Sequence, residues 1–572
     1  VGIIQVEKGD YDKALEYFNK ALNIRKQLGE KAGQGVTLNN IGVLYINVVD
    51  YPKAINHLKS AVDIFEELRK TASGEARRDY MAEQIHAYQS LITAFIKHDS
   101  LHQAFYYNEF SKSKYLYEEI TRSDMPIRIA DLEKSQQELN ENQAALIYAT
   151  IDNPDLTIMA MTHDTIHALL KNKDDIFKEF LQDLDMRSLV IANLSQAQIS
   201  QLREYLLSEN EVNIERHFKK ILFDNIIHAY TLLLIDPDFK NREQVYKISS
   251  MLYDLLILPH EKYLTDKKEI IIMQDGILGY LPFETLIDHN GKYLVEKYNI
   301  RYIQSFSIQK AIQNRKYPPD RRPLLAFGVS DYQGEQIYSG ELITSLKLSA
   351  LRKMTDKRIE ENSSLKKIYD ALGYINFGDL NSSEEEINKI AQIIPGADTL
   401  LNSNVTEETI KSLSQSGKLQ DYRILHFSTH GIAVSEIPEL SALVLYDHDL
   451  GKGQDGFLRM GEIAALNLKT DFVNLSACET GIGKVYKGEG VVSLAHSFLI
   501  AGANSLSVSL WQVDEESTAA FMDLFYEKLF IEKLSYPDAL NEVKRTFING
   551  KVDIFWQTPY FWSPFIFYGK KN

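Results

Sequence analysis

Two apolar, strand-like segments that end in reactive side chains constrain the fold of this chain more than any other feature. Residues 422–429 run from an apolar stretch into His430 and Gly431. Residues 471–477 repeat this pattern and run into Cys478, which a glycine-containing loop follows. In open α/β sheets, catalytic groups collect at the carboxyl ends of neighbouring parallel strands. The sequence therefore predicts that His430 and Cys478 meet at one edge of a mostly parallel sheet.

The same residues supply the parts that amide hydrolysis needs, namely a nucleophile, a proton shuttle and donors for the developing oxyanion. The thiol of Cys478 is intrinsically nucleophilic, and His430 can accept its proton and later protonate the leaving amine. Gly431 has no side chain, so its backbone N–H can approach the scissile carbonyl together with the N–H of Cys478. We expect the loss of one such donor to raise the barrier by about 3 kcal/mol.

An internal repeat organises the N-terminal part of the chain. Residues 9–14, with the apolar positions that follow them, reappear at 50–54 with an offset of 40 residues. A third, more divergent unit covers about 81–117, with the next inter-helix turn and helix start at 99–104. Because one helix pair cannot cover its own apolar face, such pairs stack into an array. The array is expected either to bind a partner protein or to serve as a structural cap.

The middle of the chain changes from helical to strand-forming patterns. The turn at 152–155 separates two alternating apolar runs, which predicts a β-hairpin over 144–149 and 156–161. Helical segments follow to about 257. Further strands are predicted at 269–273, 297–304 and 323–329. Strands that alternate with helices indicate an α/β sheet that is largely parallel.

Composition excludes several classes of function. The 572 residues are too many for one core, so two or three domains are expected. A net charge of −16 argues against direct binding of nucleic acid, and no apolar run is long enough to cross a membrane. With one cysteine, the chain can form neither an internal disulfide nor a thiolate metal site, and a reducing cytoplasm fits this composition. We expect neither a metal nor another cofactor.

The chain opens at Val1 inside a helical pattern, so its natural N-terminus is expected upstream.

Six short motifs follow one another in the C-terminal half of the chain. They are Leu281–Leu286, His426–Gly431, Leu475–Gly481, Gly488–Gly490, Ser509–Asp514 and Trp562–Phe565. At these residues the sequence resembles the caspase-like cysteine peptidases, and more narrowly the CHAT family, which is related to separase and occurs with tetratricopeptide repeats. The resemblance spans about 250–572, and the repeat region agrees with it.

This resemblance implies catalytic roles for His430 and Cys478. In separase-like relatives an acidic residue in the loop after the next strand lines the primary specificity pocket, and here that loop contains Asp514 and Glu515. Relatives often carry Val-Asp-Asp in this loop, whereas this chain has Val-Asp-Glu at residues 513–515. Either residue could pair with a basic P1 side chain. Alternatively, both acids complement the positive end of a helix dipole. His426 is interpreted as a structural residue.

These inferences give three predicted regions. Residues 1–125 are expected to form tetratricopeptide-like helical repeats, 126–250 a linking α/β region, and 251–572 a CHAT caspase-like peptidase domain. The predicted fold class is an α/β caspase-like domain with a mostly parallel sheet, preceded by an all-α repeat array. The predicted function is that of a cysteine endopeptidase whose repeats recruit a protein substrate or regulatory protein. The alternative is a catalytically silent scaffold for protein assembly.

Overall fold

The chain begins with a stack of helices and continues into one large sheet covered by further helices. The structure, a computed structural model, describes residues 1–71, 74–112, 114–121, 128–149, 155–173, 211–332, 337–338, 351, 354–355, 365, 368–369, 372, 374–434, 437–446, 454–477, 484–486 and 490–571.

Twenty α-helices lie in the described residues. They are α1 (Gly2–Glu7), α2 (Tyr11–Gln27), α3 (Lys31–Asn47), α4 (Tyr51–Arg69), α5 (Gly74–Lys97), α6 (Leu101–Ser111), α7 (Lys114–Thr121), α8 (Leu132–Gln137), α9 (Glu211–Leu234), α10 (Arg242–Leu256), α11 (Glu261–Leu264), α12 (Leu294–Lys297), α13 (Phe306–Gln313), α14 (Asn381–Ile393), α15 (Glu407–Gln415), α16 (Met460–Ala464), α17 (Leu494–Ala501), α18 (Glu515–Phe530), α19 (Tyr536–Ile548) and α20 (Pro559–Trp562).

The repeated residues at 9–14 and 50–54 are helix starts. Asp10 caps α2 by accepting a hydrogen bond from the backbone N–H of Lys13, and Asp50 caps α4 from that of Lys53, both at 3.2 Å. Between them, Gly42 of α3 packs against α4, where an added Cβ would lie 2.4 Å from the Cγ atom of Leu58. Small residues at such positions let the helix axes approach closely. The predicted repeat is therefore confirmed in both its caps and its packing.

The third repeat unit also forms a helix pair. Helix α5 ends at Lys97 and α6 begins at Leu101, so the inter-helix turn and helix start predicted at 99–104 are confirmed. Asp99 adopts a left-handed backbone conformation in this turn, with φ of 54°. Short polar residues tolerate that conformation better than bulky ones.

Eighteen strands lie in the described residues. They are β1 (Gln143–Ala149), β2 (Asp155–Met161), β3 (Ile166–Asn172), β4 (Glu269–Met273), β5 (Asn299–Tyr302), β6 (Arg322–Gly328), β7 (Ile337–Tyr338), β8 (Tyr374–Asn376), β9 (Asp398–Leu401), β10 (Tyr422–Ser428), β11 (His430–Ile432), β12 (Ala442–Val444), β13 (Phe457–Arg459), β14 (Phe472–Ser476), β15 (Lys484–Tyr486), β16 (Gly490–Val492), β17 (Ser505–Ser509) and β18 (Phe565–Gly569).

The main sheet has eleven strands in the order β3-β2-β1-β4-β5-β18-β17-β14-β10-β6-β9. Three neighbouring pairs are antiparallel, namely β1 with β2, β2 with β3, and β17 with β18. The other seven pairs are parallel. A mostly parallel sheet is thus confirmed, as is the predicted hairpin of β1 and β2. This hairpin and β3 extend the same sheet that carries β10 and β14.

Helix α6 joins the helical array to the sheet through buried charged side chains. Glu109, 1% exposed, accepts a hydrogen bond at 2.8 Å from the backbone N–H of Ser307 in the first turn of α13. The ammonium group of Lys112, the residue after α6, donates to the carbonyl oxygens of Tyr148 in β1 and of Gln274 just after β4, at 2.8 and 2.6 Å. Buried charges require such partners. The end of α6 is therefore built for this contact.

Candidate active site

The two strands that lead to His430 and Cys478 are neighbours in the main sheet. Strands β10 and β14 run parallel, with Ser428 in register with Ser476 at their carboxyl ends. The chain therefore leaves both strands at the same edge of the sheet. His430 follows Ser428 by two residues, and Cys478 follows Ser476 by two residues. Cys478 itself lies outside the described residues.

His430 is buried in a shell of aromatic and backbone groups. His430 is 5% exposed, and its Nε2 atom lies 2.7 Å from the carbonyl oxygen of Gly378. The rings of Tyr332 and Phe377 lie with their centroids 4.7 and 5.4 Å from that of the imidazole. The backbone N–H of His430 donates to the hydroxyl of Tyr332 at 3.1 Å. The orientation of the ring is therefore fixed from several sides.

These contacts define the protonation of the His430 ring. A carbonyl oxygen only accepts hydrogen bonds, so Nε2 carries the proton that is donated to Gly378. Nδ1 is then unprotonated in the neutral ring and can act as a base. Burial lowers the pKa of His430 below the ordinary value of 6.5, while the hydrogen bond to Gly378 and the charge of Glu515 act in the opposite direction. Burial outweighs both, which favours the neutral ring near pH 7.

Gly431, the other predicted contributor from this segment, follows His430 in strand β11. There it lies opposite Leu443 of β12 in a small antiparallel sheet with β13. The residue is half-buried. Its proposed partner in an oxyanion hole, the backbone N–H of Cys478, lies in a part of the chain that the structure does not describe.

A cleft opens at the carboxyl ends of β10, β14 and β17. Its walls come from four of the six motifs singled out in the sequence, and from α14 and the first turn of α18. Two of the residues that line it are acidic and none is Lys, Arg or His. The lining residues are Leu380, Ser382, Ser383, Glu386, Ser428, Thr429, Ser476, Ala477, Ser509, Trp511, Val513, Glu515, Thr518 and Phe565.

The structure separates the two predicted substrate-binding acids. Glu515 lines the cleft, and its carboxylate accepts hydrogen bonds from the backbone N–H and the hydroxyl of Ser382 at 3.2 and 3.1 Å. Asp514 is exposed and caps α18 by accepting a hydrogen bond from the backbone N–H of Ser517 at 3.0 Å. The carboxylate of Glu515 therefore faces the cleft. Asp514 instead lies at the N-terminus of a helix, as expected if it complements the positive end of the helix dipole.

One cleft residue, Glu386 of α14, was missed by the sequence analysis. It is 2% exposed, and its Oε1 atom lies 2.8 Å from Nε2 of His426. Its Oε2 atom accepts hydrogen bonds from the hydroxyls of Ser428 and Ser476, both at 3.3 Å. His426 is fully buried and has no place in the cleft lining, which agrees with its structural interpretation. The available signal was the position of Glu386 between the buried residues of an amphipathic helix.

One group of side chains in the described residues offers three possible metal ligands, and it lies away from the cleft. The ligand atoms of His102, Asp131 and Glu133 all lie within 4.8 Å of one another. All three side chains are substantially exposed, at 45%, 41% and 63%. Asp131 also caps α8 by accepting a hydrogen bond from the backbone N–H of Lys134. We assign no metal to this surface group.

No helix in the described part of the chain is long and apolar enough to span a membrane.

Sequence comparison identifies both parts of the chain. The profile of the CHAT domain matches residues 247–570, and a tetratricopeptide repeat profile matches residues 1–67. Tetratricopeptide repeat protein 28 of Homo sapiens is 25% identical over 364 residues, and that of Mus musculus is 23% identical over the same length. Both alignments cover 56% of this chain and 13% of the relative. The chain thus spans 13% of the length of these curated relatives.

Structural comparison gives more distant similarities. The separase–securin complex of Saccharomyces cerevisiae is 11% identical with a TM-score of 0.45, and covers 92% of this chain and 38% of the other. The complex of the pro- and mature domains of RgpB from Porphyromonas gingivalis is 11% identical with a TM-score of 0.34, and covers 56% of this chain and 68% of the other.

The CHAT profile covers more than half of the chain, and it contains eight of the eleven strands of the sheet that carries the cleft. The predicted α/β domain with a mostly parallel sheet, preceded by an all-α repeat array, is confirmed. By its profile match, the chain belongs to the CHAT domain family and carries tetratricopeptide repeats on the N-terminal side of that domain.

Proposed function

We propose that this chain is a cysteine endopeptidase that uses Cys478 as the nucleophile and His430 as the general base and acid. The observation that carries the proposal is the parallel register of β10 and β14, with Ser428 opposite Ser476. Neighbouring strands lie about 4.8 Å apart, so chain segments that leave them at one edge start close together. Cys478 is covalently joined to Ala477, which lines the cleft.

The proposed reaction begins when Nδ1 of His430 takes the proton of the Cys478 thiol. The sulfur then forms a bond to the scissile carbonyl carbon, and the carbonyl electrons move to oxygen, which the N–H groups of Gly431 and Cys478 stabilise. Collapse of this intermediate breaks the C–N bond, and His430 gives its proton to the leaving amine. Water, deprotonated by the same imidazole, then hydrolyses the thioester and restores the thiol. The carbonyl of Gly378 keeps the ring oriented and favours the imidazolium that forms transiently.

The proposed substrates carry a basic side chain at P1. The cleft beside Ala477 is lined by Glu386 and Glu515 and by no basic side chain. A cationic side chain that enters this cleft meets the carboxylate of Glu515, which a guanidinium can bind through two parallel hydrogen bonds. An acidic side chain would meet only like charge. The hydroxyls of Ser382 and Ser509 offer further acceptors for an ammonium or guanidinium group.

We assign the repeats a recruiting role, in which they bind a protein substrate or a regulatory protein. Stacked repeats of this type present an extended surface suited to peptides or partner helices. The net charge of −16 makes nucleic acid an unsuitable direct ligand. A single thiol that must stay reduced for catalysis suits the reducing cytoplasm.

The proposal is tested with peptide substrates that differ only at P1, where they carry Arg, Lys, Leu or Asp. The full chain is expected to cleave after Arg and Lys, and Cys478→Ala and His430→Ala are expected to lose this cleavage. A peptidyl electrophile with P1 Arg should label the chain at Cys478. The scaffold function is favoured instead if no peptide is cleaved and the peptidyl electrophile labels Cys478 no faster than an unspecific thiol reagent does.

A further inference from the structure

A single buried carboxylate connects the ends of both strands that lead to the proposed catalytic residues. Ser428 and Ser476, the last residues of β10 and β14, both donate to Oε2 of Glu386. The other oxygen, Oε1, lies 2.8 Å from Nε2 of His426, which belongs to β10. Glu386 thus contacts β10 twice and β14 once, and it comes from α14, an element outside both strands.

The polarity of this network is fixed by the groups on the far side of His426. The amide nitrogen of Asn474, a residue of β14, lies 3.1 Å from Nδ1 of His426, and the Tyr526 hydroxyl lies 3.0 Å from the same atom. An amide nitrogen only donates, so Nδ1 accepts and Nε2 carries the proton that is donated to Glu386. The network therefore joins β10 to β14 a second time, one side-chain layer back from the strand ends. His426 and Asn474 are themselves in register.

We infer that Glu386 is a positioning residue, which sets the relative placement of the chain segments that carry His430 and Cys478. The inference rests on the proposed dyad. Each serine that Glu386 accepts from lies two residues before one member of that dyad. A shift of one strand end against the other changes the distance between base and nucleophile, and a displacement of about 1 Å can lower the rate about 100-fold.

Substrate selection falls to Glu515 and not to Glu386. The Glu386 residue is 2% exposed, and its two oxygens already have three donors from the protein. Glu515 is half-buried, and its carboxylate accepts hydrogen bonds from the backbone N–H and the hydroxyl of Ser382. The two acids of the cleft thus have different surroundings, which predicts different effects of their removal.

The test compares Glu386→Ala, Glu386→Gln and His430→Ala with the wild-type chain. Glutamine can accept from His426 and donate to both serine hydroxyls, so Glu386→Gln is expected to keep kcat within about threefold. Alanine satisfies none of these partners, and Glu386→Ala is expected to lower kcat about 100-fold while KM changes little. The matched control is Glu407→Ala, because Glu407 is also a fully buried helix carboxylate but does not line the cleft.

A second measurement does not depend on peptidase activity. Cys478 is the single cysteine, so alkylation by iodoacetamide reports on this thiol alone. If His430 activates the thiol, alkylation near neutral pH slows in His430→Ala, and Glu386→Ala is expected to slow it similarly, whereas Glu407→Ala is not. Circular dichroism at the assay temperature establishes that each variant is folded.

The outcomes separate the two claims. The positioning role alone is overturned if alkylation slows in His430→Ala while Glu386→Ala keeps the alkylation rate and the kcat of the wild type. Equal alkylation in the wild type, His430→Ala and Glu386→Ala contradicts the dyad and the positioning role together. Loss of kcat in Glu386→Gln equal to that in Glu386→Ala also contradicts the positioning role, because it would assign the effect to the charge of Glu386.

Discussion

The Nε2 atom of His430 lies 2.7 Å from the carbonyl oxygen of Gly378. This contact assigns the ring proton to Nε2 and leaves Nδ1 as the basic atom of the neutral imidazole. It also explains how an imidazole can be oriented for proton transfer without a carboxylate partner. The carbonyl supplies orientation and partial negative charge, and burial keeps the resting ring neutral.

The pH dependence of kcat/KM should reflect the lowered pKa of His430. The base is active when unprotonated, so activity rises with pH as the ring loses its proton, and this acidic limb should lie below pH 6.5. In Phe377→Ala the ring gains contact with water, its pKa rises, and the limb should move to higher pH. Removal of the Glu515 charge in Glu515→Gln should move the limb the other way. If the acidic limb of the kcat/KM profile stays at the same pH in these two variants, the titration belongs to another group.

Glu515 should determine P1 preference. Glu515→Gln removes the carboxylate that faces the cleft and is expected to lower kcat/KM for a P1 Arg peptide about 10- to 100-fold, as the loss of a charged hydrogen bond does. A peptide with P1 Leu should lose much less. The matched control is Asp514→Asn, which removes a neighbouring charge but keeps a good helix cap. Equal losses for both peptides in Glu515→Gln would argue against a specificity role.

Lys112 should be required for stability and not for chemistry. Lys112→Ala removes a buried donor to the carbonyls of Tyr148 and Gln274 and the ammonium group that lies 3.4 Å from the carboxylate of Asp275. Removal of one partner of a buried ion pair costs about 3–5 kcal/mol in the free energy of unfolding. Urea denaturation measures this loss, with the exposed Lys97→Ala as the control. An unchanged denaturation midpoint in Lys112→Ala would show that the array and the sheet are joined by other contacts.

Local patterns were enough to predict the strands and their reactive ends. The apolar runs before His430 and Cys478 became β10 and β14, and the predicted neighbourhood of these strands is observed. The hairpin of β1 and β2 and the 40-residue repeat were equally visible, because periodicity and turn residues are local properties of the chain. The catalytic role of Cys478 remains a prediction, since the structure does not describe that residue.

Residues that act through distant contacts could not be predicted in this way. Gly378 and Glu386 lie 52 and 40 residues before the histidines that they contact. Neither belongs to a motif that suggests chemistry, and Glu386 looks like part of an acidic helix start. Lys112 contacts Gln274 across 162 residues. Such pairings depend on the packing of the sheet and on the docking of the array, which no local window of sequence contains.

The most direct measurement of the central claim is a proteome-wide scan of newly formed N-termini in cells that express the full chain or Cys478→Ala. If the chain is a cysteine endopeptidase with a cationic P1 preference, new N-termini should appear only with the wild-type chain, and Arg or Lys should precede them. Identical sets of N-termini from the two chains would contradict the account.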